Sequence, residues 1–490
     1  MKKLFNASKP AVIGLILGLS TLCTIGFTGC KNQTDNDDSN KQIKLEDVKD
    51  FFIINPTNQT KRTSEQWFSI QTQSRSVENQ QNQDNDYIEH TRPFTTEILP
   101  ASELKKSRAA DTTIRYKKFK ENEKHTFNMD IDEDYNTQRD IVRGTMVHAG
   151  KHCYIWIIDN EDPESLLSKE EYEAFADNFD NIYEIETSLC GPKYDGTSMF
   201  SYIITPNDKI SIVLHDIGNN KSTGRWFGYF SSICFMNNQD GQNAIEAIFV
   251  DSYYAKQEYN KKKLYSALTH EFNHMLNYVN KTLKYGKYMS PWYTELLSMI
   301  TEDFFMEDLN LEYSDSPQSR LESFIVKGRN YGFGNWNNED SASVGYKYAN
   351  AYAFGAYLAR NYGGAELIHE IATNEYVDEE SVIKAVNKIN GTNKTFNDLI
   401  KEFPEILLNT DGSNFPSLNR TYSGKIKDCE YNFSLSSIDL SNLRDGLKIK
   451  PDNIIDAPAY RFDPYGFVYF HFDENTDVNL NIKDCLLINY

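Results

Sequence analysis

The segment Ala267-Leu268-Thr269-His270-Glu271-Phe272-Asn273-His274-Met275-Leu276 constrains this chain more than any other. On a helix, residues four apart lie on one face, so His270 and His274 can offer two imidazoles to one ion while Glu271 sits beside them. Leu264, Ala267, Leu268, Met275 and Val279 supply the apolar pattern of a buried helix, which we place from about Asn260 to Asn280.

The ion that suits such a pair is zinc, which takes a third protein ligand and keeps a fourth position for water. The metzincin solution needs a glycine at position 277 and a histidine at 280; Asn277 and Asn280 stand there and exclude it. The gluzincin solution takes a glutamate from the next helix. Ser290-Pro291-Trp292-Tyr293-Thr294-Glu295-Leu296-Leu297-Ser298-Met299 opens such a helix, with serine at the cap and proline in the first turn. Glu295 is therefore the expected third ligand, with Glu302 the next candidate. Ser298, one turn after Glu295, is the candidate partner behind the ligands; a small residue that lets two helices pack closely is the other reading of it.

The elements around the motif read as strand (Cys153 to Ile158), helix (Ser168 to Ser188, opened by the capping box Ser168-Lys169-Glu170-Glu171), and strands at Lys209 to Ile217, Gly228 to Phe235 and Ala247 to Val250. After the motif helix the pattern stays helical: Pro291 to Phe305, Ala349 to Tyr362, Ala365 to Ala372, Glu379 to Asn390 and Phe396 to Leu408. This is the element order of the upper half of zincin peptidases. The expected class is α+β: a zincin-like domain with a mixed sheet and an active-site helix, then a helical subdomain, flanked by small mostly β regions.

Here the chain resembles the hyicolysin-like family of bacterial metallopeptidases. The likeness rests on aromatic-rich strands before the motif, the His-Glu-Phe-x-His-Met core, the Trp-x-x-Glu-x-Leu-Ser stretch at 292–298, and the tyrosine helix Tyr348-Ala349-Asn350-Ala351-Tyr352-Ala353-Phe354-Gly355-Ala356-Tyr357-Leu358. It spans about Cys153 to Leu408. Leu296 and Ala349 stand where the family usually has glycine. The resemblance implies one zinc per chain held by His270, His274 and Glu295, and peptide-bond hydrolysis with Glu271 taking a proton from a water that zinc acidifies toward a pKa of about 7. It also implies Tyr348 as the donor to the oxyanion, with Tyr346 and Tyr352 as rivals.

The first thirty residues have a basic start (Met1 to Lys9), an apolar run (Ala11 to Ile25) and the junction Phe27-Thr28-Gly29-Cys30. This resembles a bacterial lipoprotein signal, with Cys30 as the acylated residue and a membrane as the partner reached through that lipid. The domain reading is 1–29 signal peptide, 30–50 polar tether, 51–143 an N-terminal mostly β region and candidate propeptide, 144–409 the peptidase domain, and 410–490 a small C-terminal β module.

At 490 residues, 39% hydrophobic and 13% aromatic, the chain buries a large core. Its formal charge of −20 repels nucleic acid, which we exclude as a partner. Cys153, Cys190, Cys234, Cys429 and Cys485 have no metal-ligand spacing, and Cys429 with Cys485 is the one disulfide expected. His148 and His152 share the four-residue spacing without an acid placed as in the motif. Asp130, Asp132 and Asp134 lack the glycine of a calcium loop. His215 and His369 read as structural histidines. The expected function is an extracytoplasmic, lipid-anchored zinc metalloendopeptidase acting on protein or peptide substrates. The alternative is an inactive zincin scaffold that binds host or envelope proteins.

Overall fold

The computed structural model describes residues 41–57, 68–72, 93–94, 96–97, 116–130, 139–159, 161–218, 220–223, 226–237, 245–336, 341–444, 446–452, 462–482 and 484–490. The signal segment 1–29, Cys30 and the polar stretch Ser76 to Asp86 lie outside them, as do Asp132 and Asp134.

The central element is a six-stranded mixed sheet, β3 (Lys124–Asp130), β4 (Arg139–Ala149), β5 (Cys153–Ile158), β6 (Ile210–His215), β7 (Gly228–Phe230) and β8 (Ala247–Asp251), in the order β3-β4-β5-β6-β8-β7. Neighbours β5, β6 and β8 run parallel, while β3, β4 and the edge strand β7 are antiparallel to their partners. Side chains alternate across a strand, and the sequence honours that period on both faces. Cys153, Ile155, Ile212, Leu214, Ile248 and Val250 face the helices. Tyr154, Trp156, Val213 and Phe249 face a second aromatic layer with Phe119 and Phe127.

Helix α1 (Lys169–Cys190) starts at the expected capping box, where the Ser168 hydroxyl accepts the Glu171 N–H and the Glu171 carboxylate accepts the Ser168 N–H. The motif helix α3 (Lys261–Asn277) follows the short α2 (Ser252–Lys256) and is buried on all sides from Leu264 to Asn277. It runs on as a π-helical turn, Tyr278–Leu283. The next helix, α4 (Pro291–Phe304), packs antiparallel to α3. Helices α5 (Leu321–Val326), α6 (Ser341–Tyr362), α7 (Gly364–Thr373), α8 (Asp378–Asn390) and α9 (Phe396–Glu402) complete the helical half. This is the α+β class expected.

Three expectations differ in detail. The strand from Gly228 ends at Phe230 and gives way to a 3-10 turn at Ser232–Phe235. Helix α6 begins at Ser341, eight residues ahead of Ala349. Helix α9 tightens into a 3-10 turn at Phe403–Leu407, where Pro404 has no N–H to give.

The first and last described strands are joined. Strands β9 (Tyr422–Gly424) and β10 (Phe433–Leu435) form a small antiparallel pair, and strand β1 (Lys41–Ile54) pairs antiparallel with β11 (Phe467–Ile482) from Lys41↔Ile482 to Ile54↔Phe467, with β2 (Phe68–Thr72) and β12 (Leu486–Asn489) completing the sheet β12-β1-β11-β2. Phe52, Ile54, Phe467 and Tyr469 turn toward the helical core, and Phe51, Ile53, Val468 and Phe470 toward a separate layer. Residues 41–50, read above as tether, are therefore strand: Leu45 and Val48 bury their side chains among the charges that made the stretch look solvated. The boundary drawn between 143 and 144 falls inside β4. Cys429 is a thiol beside the Tyr431 carbonyl, so the disulfide expected with Cys485 is not formed.

A candidate metal centre between two antiparallel helices

Helices α3 and α4 meet along two stripes, Ser266, His270 and His274 on one and Glu295, Ser298 and Glu302 on the other, spaced as helix faces require. The His270 Nε2 lies 3.0 Å from Glu295 Oε2 and the His274 Nε2 3.3 Å from Glu295 Oε1. All three side chains are fully buried. Donors that each sit about 2.0–2.2 Å from a tetrahedral zinc are themselves roughly 3.3 Å apart, so these separations suit one shared ion. Among the described residues, His270, Glu271 and His274 are the group whose ligand atoms gather within 4.8 Å of one another.

The outer partners decide which ring nitrogen carries the proton. His270 Nδ1 is 2.8 Å from Glu302 Oε1, and the Ser266 hydroxyl donates to Glu302 Oε2 at 2.7 Å. A carboxylate accepts, so Nδ1 donates to Glu302, and Nε2 is the nitrogen turned inward to Glu295, where a metal would take the place of its proton. For His274 the reasoning passes through four side chains. The Thr301 hydroxyl donates its one hydrogen to the Leu297 carbonyl, so it accepts from Asn273 Nδ2, 2.9 Å away. The Asn273 Oδ1 then faces Ser298, whose hydroxyl donates to it at 3.1 Å. With its hydrogen used, Ser298 Oγ accepts from His274 Nδ1 at 3.1 Å, which leaves the lone pair on Nε2. Asn277 Nδ2 adds a second bond to Asn273 Oδ1 at 2.6 Å.

Burial pushes the Glu295 carboxyl up, but His274 and His270 outweigh it and hold it at about 2. Burial also pushes His274 down, keeping that ring neutral, whereas Glu295 and Glu302 overcome burial at His270 and raise it. Glu271, next to the ligands, accepts the Phe230 N–H at 2.7 Å through Oε2, at the end of the edge strand β7.

The structure thus brings His270, Glu271, His274, Glu295 and Ser298 together. Glu302, the second candidate for third ligand, stands behind His270 on the Nδ1 side. Its spacing from Glu295, two helical turns, was the signal for this role. Tyr348 is fully buried on α6, edge-on to Trp336 at 4.9 Å and with the Arg320 guanidinium 6.0 Å from its ring. Tyr352 donates its hydroxyl to Asp303 at 3.0 Å, and Tyr346 packs on Tyr331 at 4.9 Å. His215 meets the stacked rings of Tyr229 and Phe249 edge-on, and His369 Nδ1 meets the Leu189 carbonyl at 3.0 Å. His152 stacks on Tyr183 at 4.1 Å with Nε2 at 3.1 Å from Glu184. Phe94 was missed: its N–H donates to Glu295 Oε1 at 2.7 Å and its ring stacks on His274 at 5.1 Å. No local motif marks it, because the contact spans two hundred residues of sequence.

Leu296 and Gly355 explain each other. A Cβ at Gly355 of α6 would lie 2.9 Å from the Leu296 Cγ and 2.7 Å from the Ile300 Cγ1, so the leucine on α4 is accommodated by glycine on the facing helix.

Two imidazoles and a carboxylate converging from successive buried helices define a metallopeptidase-type centre, and the sequence pattern of Peptidase M30 matches residues 130–444, which contain all of it. The chain belongs to the peptidase M30 family, as the hyicolysin-like resemblance implied. It is 26% identical over 274 residues to the neutral metalloprotease ShpI of Staphylococcus hyicus, a match covering 54% of this chain and 57% of that protein. The chain thus matches a little over half the length of that curated relative. Among solved structures, the M1 zinc metallopeptidase of Deinococcus radiodurans overlaps at a TM-score of 0.28 with 10% identity, covering 57% of this chain and 51% of that one. A two-domain M1 zinc metallopeptidase bound to L-arginine overlaps at 0.29 with 11% identity and the same coverage. Overlaps that low establish neither fold nor activity.

Proposed function

We propose that this chain is a zinc-dependent endopeptidase in which His270, His274 and Glu295 hold one zinc and Glu271 is the general base. The observation that carries this reading is the facing of both Nε2 atoms onto the two oxygens of one buried carboxylate, at 3.0 and 3.3 Å, with Glu271 alongside. Family membership and the printed description of the Staphylococcus hyicus relative support it. Zinc, when bound, supplies Lewis acidity that polarises the scissile carbonyl and acidifies the attacking water. Glu271 Oε2 is held by the Phe230 N–H, so Oε1 is the atom assigned to take the proton and pass it to the leaving amine. Glu302 and Ser298 hold the two imidazoles in the tautomer a metal needs. Tyr348 is assigned to the oxyanion, since the Tyr352 hydroxyl is committed to Asp303 and Tyr346 packs against Tyr331.

The test is Glu271→Gln, which keeps volume and the Phe230 contact but cannot accept a proton. Zinc content and fold should stay, while casein hydrolysis falls by about two to four orders of magnitude. A zinc-loaded wild type that hydrolyses no unfolded protein near neutral pH after any propeptide is removed would replace this reading with the scaffold one.

The site of action is proposed to be outside the cytoplasm, with the chain anchored through lipid on Cys30. Labelled palmitate should enter the protein and be lost in Cys30→Ala; label kept by that variant would end the anchor proposal. Among the described residues no helix is long and apolar enough to cross a membrane.

A further inference from the structure

The contacts of residues 93, 94, 96 and 97 bear directly on what the site accepts. Phe94 is 4% exposed, and its ring lies between the imidazole of His274, at 5.1 Å and 23°, and the ring of Phe230, at 5.4 Å and 32°. Its main-chain N–H reaches Glu295 Oε1, the same oxygen that is 3.3 Å from His274 Nε2. Three residues on, the chain is fastened beside the edge strand: the Glu97 N–H donates to Ser232 Oγ at 2.8 Å, and the Ser231 hydroxyl donates to the Glu97 carboxylate. Polypeptide backbone therefore already lies against the point where the ligand nitrogens converge, with a side chain seated beside it.

A peptide substrate has to bring its own backbone to that point and its own side chain to that seat, so segment and substrate exclude one another. Residues 93–97 also lie outside the stretch 130–444 that matches the family. We propose that the space between His274 and Phe230 is a subsite for an aromatic side chain of the substrate, and that Phe94 fills it as an intramolecular substrate mimic. This rests on the peptidase reading and deepens it: the preferred substrates carry a large aromatic residue next to the scissile bond, and the full chain is held latent until the segment is displaced. An internal occupant reduces the apparent affinity of any competitor by the fraction of time the subsite is empty.

The experiment measures binding apart from hydrolysis. The full chain carrying Glu271→Gln is loaded with zinc, and a fluorescein-labelled glycine-alanine peptide holding one phenylalanine is titrated against it, with and without Phe94→Ala. Phe94→Lys serves as a second displacing variant, and zinc content and melting temperature are matched. Either substitution should tighten binding by about tenfold or more. The gain should vanish when the phenylalanine of the peptide is replaced by alanine. Equal binding with and without the Phe94 substitutions overturns the proposal, as does a gain that the alanine peptide keeps. With Glu271 present, Phe94→Ala should also raise peptide hydrolysis about tenfold. A binding gain with no hydrolysis in any variant would remove the peptidase reading and leave the subsite standing; hydrolysis unchanged by Phe94→Ala, without a binding gain, would remove the mimic alone.

Discussion

Glu302 Oε1 lies 2.8 Å from His270 Nδ1, on the side of the imidazole opposite Glu295. The ring is clamped between two carboxylates of one helix, the outer one on Nδ1 and the inner one facing the proposed metal position. Partners of this outer kind are worth about 10–100-fold in metal affinity. Glu302→Gln, which can turn an amide N–H toward Nδ1, should weaken zinc binding by that amount in a competition with a chromogenic chelator. Unchanged affinity would show that Ser266 and packing alone orient His270.

The corresponding argument for His274 runs through a residue that touches no ligand. Thr301→Val is nearly isosteric but removes an acceptor for Asn273 Nδ2, leaving it the Cys190 sulfur at 3.0 Å, so the amide that orders Ser298 is held more weakly. Zinc affinity should drop about tenfold while the melting temperature of the metal-free protein moves little. A loss of stability with no change in affinity would make Thr301 a packing residue.

Removing the metal should itself destabilise the fold, because the site is built from two buried helices and the metal binds only when they are docked. At free zinc a thousandfold above Kd the linkage is about 4 kcal/mol. In a unit of this size that is a fall of roughly 4 °C on adding chelator, measured by calorimetry and reversed by zinc. A chelator-insensitive melt would argue against His270 and His274 sharing an ion.

Between α4 and α6 the test is steric. Gly355→Ala pushes a methyl against Ile300 and Leu296, and overpacking of this kind costs about 1–3 kcal/mol. Urea denaturation should show that loss, and adding Leu296→Ala should recover part of it. A Gly355→Ala protein as stable as wild type would mean the two helices separate without cost.

Deleting residues 30–50 separates the tether reading from the observed strand. A tether is dispensable. A strand that pairs Lys41 to Leu45 with β11 and buries Leu45 and Val48 is not. Each such side chain contributes about 1.5–3 kcal/mol, so the deletion should lower the unfolding midpoint clearly. Unaltered stability would show that β1 adds nothing there.

Local chemistry was enough to bring out the residues that gather at the candidate metal centre. Helical spacing places His270 and His274 on one face, the cap and proline at 290–291 start the next helix in time for Glu295, and Glu302 follows on the same stripe. Spacing of this sort is decided within a few turns of one helix, so it can be read from neighbours in the chain. Four strands of the central sheet, β5 to β8, were legible for the same reason, as short apolar runs, whereas β3 and β4 were read only as part of a mostly β region.

What only the tertiary structure decided depends on contacts between residues far apart in sequence. The charged residues of 41–50 hide a strand because Leu45 and Val48 gain their burial from β11, more than four hundred residues later. Leu296 fits because Gly355 of another helix gives way. Asn273 sets the tautomer of His274 through Ser298 and Thr301 of the facing helix, and Phe94 reaches Glu295 across two hundred residues. A sequence records which groups are available; which of them meet is settled by the shared minimum of packing and hydrogen bonding, and that exists only once the chain has closed on itself.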